Sequence, residues 1–83
     1  MRYDDVVAHV ALLPASNPTN LGNALRLLRR RRGLSQAALA EVLGVQRSYL
    51  SQLENGDFSE QVKRIFDLLN ALGADLSVTD RRP

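Results

Sequence analysis

The sequence contains no cysteine and only one histidine among its 83 residues. Without cysteine there are no disulfides, no thiolate nucleophile and no cysteine-based metal site, a composition that fits a reducing cytoplasm. His9 stands alone, far from any carboxylate cluster, and no glycine-rich phosphate loop occurs. No catalytic constellation, metal or cofactor is therefore expected, and the chain does not read as an enzyme. No apolar run approaches the roughly 20 residues that cross a bilayer. Asp4 and Asp5 stand where a secretory leader would carry positive charge, so no leader and no membrane partner are expected. Repeats and low-complexity tracts are missing too.

Lysine is almost absent: ten of the eleven basic residues are arginine, the side chain suited to forked contacts with phosphate and guanine. Hydrophobic residues make up 45% of the chain, enough for one domain with a small core. The net charge of +2 is unevenly spread. Residues 26–47 hold six arginines against Glu41 alone, while residues 1–25 and 48–83 are both net negative. A basic block of this kind suits a polyanion, although a charge run can also be a solvated helix face.

Val6, Val10 and Leu13 share helical spacing, which predicts a short helix over Asp4–Leu13, closed by Pro14. Asn17 can cap a second helix with Pro18 at its first position, running to about Arg32 with Leu21, Ala24, Leu25 and Leu28 inward. Ser35 caps a third over about 36–43, with Ala38, Leu39, Val42 and Leu43 inward, ended by Gly44. A fourth runs from about Gln46 to Asn55, ended by Gly56. The last helix lies between Ser59 and Gly73, with Val62, Ile65, Phe66, Leu69 and Leu72 as its stripe. The period then changes to two: Ala74, Leu76 and Val78 alternate with polar residues, a strand pattern.

The two short helices joined by "LGVQ" meet the requirement for a helix-turn-helix. On the second, Arg47, Ser48, Ser51, Gln52 and Asn55 form one polar stripe, with Leu50 and Leu53 on the other side. Such a face could be merely exposed. Its arginine, serine, glutamine and asparagine groups are also the donors and acceptors that pair with base edges in the major groove.

From about Leu21 to Gly73, and most closely over "LLRRRRGLSQAALAEVLGVQRSYLSQLENG", the sequence resembles the Cro/repressor-type, or XRE, helix-turn-helix family. The resemblance implies a mainly α, lambda-repressor-like bundle that binds DNA. It assigns base reading to Arg47, Ser48 and Gln52, with Gln46 and Ser51 nearby, and a phosphate contact to Gln36. Asn55 would hold the backbone beyond the recognition helix. Arg26 and Arg32 in the basic block are further phosphate candidates. Arg29 and Glu54 occupy positions that form an ion pair in this family; a weak surface pair is the alternative. Gln46 departs from the pattern, standing where a small capping residue is usual. Either the helix begins differently or Gln46 is kept for DNA. Tyr49 could pack at the motif's edge or donate to a phosphate.

A terminal strand in an otherwise helical domain leaves N–H and C=O groups that need a partner. The order of helix-turn-helix, "LLNALG" helix and terminal strand is similar to antitoxins of the HipB type. That resemblance implies a homodimer joined through Ala74, Leu76 and Val78, a palindromic operator, autoregulation of the operon and a HipA-type serine/threonine kinase toxin as partner. It places the protein in the cytoplasm on the nucleoid. The division expected is residues 1–17 as a short helix and turn, 18–73 as the DNA-binding domain and 74–83 as the dimerisation strand. A stand-alone repressor without a toxin, or a protein-interaction module using the same face, would fit the same motif.

Overall fold

The computed structural model describes residues 12–82, which form β1 (Leu12–Pro14), α1 (Pro18–Arg31), α2 (Gln36–Leu43), α3 (Arg47–Glu54), α4 (Glu60–Ala71) and β2 (Ser77–Thr79). Three of the four helices start where the sequence supplies an acceptor. Asn17 Oδ1 accepts from the N–H of Asn20 at 2.8 Å, Ser35 Oγ from Ala38 at 3.0 Å and Ser59 Oγ from Val62 at 3.3 Å. α3 begins without such a bond: Gln46 has extended N-cap geometry, but its side chain caps nothing. Gly44 ends α2 at φ +71°, a left-handed conformation that L side chains resist. The N–H of Val45 then donates to the Ala40 carbonyl at 3.0 Å, and the chain turns into α3.

α1 crosses the end of α3 at Gly22. A Cβ there would lie 2.5 Å from the Glu54 carbonyl oxygen and 2.8 Å from both the Gly56 nitrogen and the Leu53 carbonyl oxygen. Only glycine permits this approach, and it fixes the height at which α1 supports the helix-turn-helix.

The terminal strand finds its first partner within the chain. β2 pairs antiparallel with β1, Leu12 opposite Thr79, Leu13 opposite Val78 and Pro14 opposite Ser77. The N–H of Ala15 donates to the Leu76 carbonyl at 3.0 Å and prolongs the ladder. This corrects two expectations. Leu12 and Leu13 are strand rather than the end of a helix, and the N-terminal part of that predicted helix lies outside the described residues. The reason is Pro14, which pushes the residue before it out of the α region and suits an edge strand. The strand is also shorter than the expected 74–83: the N–H of Ala74 donates to the Leu69 carbonyl at 2.8 Å, closing α4 instead. Pairing across a two-fold axis is not part of this single chain.

Among the described residues the core is small: Ala15, Ala24, Ala40, Leu50 and Phe66 are buried. α2 does not present the predicted face. Ala40 is buried, whereas Val42 and Leu43 are 75% and 58% exposed. "QAALAEVL" is apolar almost all round, so its period could not choose a face. Leu25, Leu28, Leu39 and Leu53 are only half-buried, along an open groove of about 810 Å³.

Candidate nucleic-acid interface

α3 is anchored from beneath and polar above. Leu50 is buried and Leu53 half-buried, while Arg47, Ser48 and Gln52 are exposed and Ser51 is half-buried. Gln46, just before the helix, is exposed with its amide unused for capping. Tyr49 is 51% exposed.

Glu54 departs from this pattern. It is charged, sits on the last turn of α3 where the helix dipole disfavours a carboxylate, and is only 1% exposed. Its oxygens are held by a fork from Arg29, whose Nε donates to Oε2 at 2.7 Å and Nη2 to Oε1 at 2.9 Å. Gln36 Nε2 adds a bond to Oε1 at 3.1 Å, and Arg26 Nε lies 3.5 Å from the same oxygen. One carboxylate thus ties the end of α3 to α1 and to the start of α2. The Arg29 fork holds the Glu54 carboxyl below its ordinary range, and the same bond raises Arg29 above its own, so both are charged near neutrality. Arg29 Nη1 also donates to the Leu34 carbonyl at 2.8 Å, fixing the loop before α2. Among the described residues no buried side-chain nitrogen or oxygen lacks a partner.

Arg26 completes the corner. Its Nη2 donates to Asn55 Oδ1 at 3.0 Å and to the Glu54 carbonyl at 3.4 Å. Arg26, Arg29, Gln36, Glu54 and Asn55 are thereby brought together below the exposed face of α3. Gln36 spends one of its two amide hydrogens on Glu54, and Asn55 uses only its oxygen, so each keeps an amide N–H not engaged with the described residues.

The second cluster was not legible in the sequence. Asp80 is 3% exposed and accepts from the Arg82 backbone N–H at 2.9 Å, from Arg31 at 3.3 Å and from Arg32. The Arg82 N–H, then the two arginine side chains, hold its carboxyl below the usual range. This ties the end of β2 to the end of α1. Arg26 and Arg32, read from the sequence as phosphate contacts, therefore both have internal carboxylate partners. The pairing of Arg32 with Asp80 spans 48 residues, and no local pattern announces it. Ala74, Leu76 and Val78 lie together by β2: Val78 and Ala74 are half-buried and Leu76 is 38% exposed.

Among the described residues no group of His, Cys, Asp and Glu could hold a metal ion, and no helix is long and apolar enough to cross a membrane.

A helix-turn-helix domain model matches residues 20–81. Antitoxin HipB of Escherichia coli K12 is 29% identical over 66 residues, 80% of this chain and 75% of that protein. The HTH-type transcriptional regulator RamB of Mycobacterium tuberculosis H37Rv is 39% identical over 57 residues, 69% of this chain and 12% of its own. An uncharacterized HTH-type transcriptional regulator, y4mF of Sinorhizobium fredii, is 30% identical over 61 residues, 74% of this chain and 80% of its own. No solved structure matches. The polar face of α3, the carboxylate that holds it and these matches agree: the chain belongs to the XRE-like helix-turn-helix family of DNA-binding transcriptional regulators and is HipB-like within it.

Proposed function

We propose that the protein is a dimeric repressor of its own operon and the antitoxin of a HipA-type serine/threonine kinase, acting on the nucleoid in the cytoplasm. The observation that carries the DNA-reading part is the exposed row of Arg47, Ser48 and Gln52 over a helix whose last turn is locked by Glu54. Arg47, at the N-terminal end of α3, reads a guanine through its fork, and Ser48, Ser51, Gln52 and Gln46 read neighbouring base edges. Gln36 and Asn55 donate their remaining amide N–H groups to phosphates, with Arg26 and Arg32 adding charge nearby. One such helix covers too few base pairs for a genome, so two copies bind a palindromic operator with their helices about 34–36 Å apart, or a multiple of it. Among the described residues β2 pairs with β1 alone, and its other edge suits pairing with a second copy through Leu76 and Val78.

The likeness to antitoxin HipB over most of both chains supports a toxin as partner. The likeness to y4mF, named only as a transcriptional regulator and matched over 80% of its length, favours a second reading, a stand-alone repressor. Fluorescence anisotropy with the protein's own promoter DNA tests the shared part. Failure to prefer that DNA over a scrambled duplex would defeat both readings. Co-purification of the tagged chain with the products of its operon separates them: a kinase-like protein in the complex supports the first, and its absence the second.

A further inference from the structure

The groove of about 810 Å³ is bordered by three helices and by the residues that follow β2. Leu25 and Leu28 of α1, Leu39 and Leu43 of α2, and Leu50 and Leu53 of α3 line it, and of the six only Leu50 is buried. Leu43 is 58% exposed. A single exposed leucine is ordinary, whereas leucines from three helices facing one cleft mark a surface that something covers.

The path of the chain points to the occupant. Residues 79–82 form one side of the groove. Leu12 stands opposite Thr79 in the antiparallel ladder, so the chain enters Leu12 from the side on which β2 leaves Thr79. Residues 1–11, which lie outside the described residues, are therefore joined to a strand end that already borders the groove, and no linker has to be spanned. Their composition matches the cleft. Tyr3, Val6, Val7 and Val10 stand at i, i+3, i+4 and i+7, one apolar stripe, with Asp4 and Asp5 beside it. The groove's lining carries Arg29, Arg32, Arg81 and Arg82 against Glu54 and Asp80, a positive excess, and Arg81 and Arg82 are exposed at its rim. Two aspartates against Arg2 give the segment the opposite sign. We infer that residues 1–11 dock in this groove of their own chain, with Val6, Val7 and Val10 against the leucines and Asp4 and Asp5 toward the rim arginines. The segment completes the core beneath the recognition helix, because Leu50 and Leu53 are the side of α3 that it supports. The inference is independent of which bases α3 reads.

The sequence has no cysteine, so an introduced pair is read without background. Val6→Cys/Leu43→Cys in the full chain is oxidised at about 1 μM, where a partner held at about millimolar effective concentration outruns a second chain by about 1000-fold. Val6→Cys/Val42→Cys is the control, since Val42 is 75% exposed but does not line the groove. Electrophoresis without reductant should show a cross-linked monomer from the first pair, forming at least about tenfold faster than from the control, because a disulfide needs Cα atoms within about 7 Å. Equal rates would overturn the inference. Covalent dimer as the main product would also overturn it and assign the groove to a second copy. Deleting residues 1–11 should lower Tm by at least about 5 °C and raise the fluorescence of an apolar dye such as ANS. An unchanged Tm or unchanged dye binding would overturn the inference as well, and leave the groove to another molecule. The cross-link is read in the full chain, so it decides the matter even where the shortened chain does not fold. A chain that cross-links as expected yet ignores its promoter DNA would defeat the DNA reading and leave the docking standing.

Discussion

Replacing Arg29 by methionine asks whether the bond to Glu54 is a structural tie or a surface ornament. The Glu54 side chain has no exposed area and that of Arg29 only 9%. Removing one partner of a buried ion pair costs about 3–5 kcal/mol, against about 0–1 for an exposed pair. Gln36 and Arg26 remain near the stranded carboxylate, so the lower end applies, about 3 kcal/mol. A domain of this size has roughly 4–12 kcal/mol in all, so Arg29→Met should leave it close to unfolding. Urea denaturation followed by circular dichroism, at one fixed chain concentration, reads the loss. Arg29→Met with Glu54→Met should recover most of the stability, because no charge is then buried alone. DNA affinity should stay low in that double variant, since α3 has lost its tie to α1 and α2. The pH dependence has a definite sign. The folded-state value for Glu54 is depressed, so its stabilisation is present above the ordinary carboxylate range and lost as pH falls through the folded value. Glu54→Gln should flatten that acid limb. An Arg29→Met protein within about 1 kcal/mol of wild type would refute the reasoning and return the pair to the surface class.

Gly22→Ala should cost about 1–3 kcal/mol and weaken DNA binding, because α1 must lift off the end of α3; an unperturbed melt would show that the helices slide apart freely. Arg47→Ala should lose about 1–3 kcal/mol of discrimination at one position per half-site, and an unchanged preference in a base-substitution scan would identify another reader. Gln36→Ala and Asn55→Ala should weaken specific and scrambled duplexes about equally in anisotropy titrations, and a selective loss would move them from phosphate to base. Asp80→Asn releases Arg31 and Arg32, so the slope of log K against log salt should steepen by about one unit for each that then meets a phosphate; a constant slope would keep both arginines away from DNA.

Local chemistry determined the helices. Asn17, Ser35 and Ser59 are caps whose acceptors reach a backbone N–H only three residues on, and Gly44 ends α2 wherever α2 packs. The polar row on α3 was legible for the same reason, since its spacing is a property of one helix. The resemblance supplied the pairing of Arg29 with Glu54, but the third and fourth partners, Gln36 and Arg26, emerged only when α1 and α2 were placed against α3. Whether α2 turns Ala40 or Val42 inward could not be read from a helix apolar on nearly every side. The strand at residues 77–79 was visible as a period of two, but its partner was not, because an edge records that it needs hydrogen bonds and not where they come from. Asp80 shows the limit most plainly. In sequence it is one acid beside two arginines at the end of the chain. Only the folded chain carries it 48 residues back, to the end of α1, where burial makes its partners obligatory.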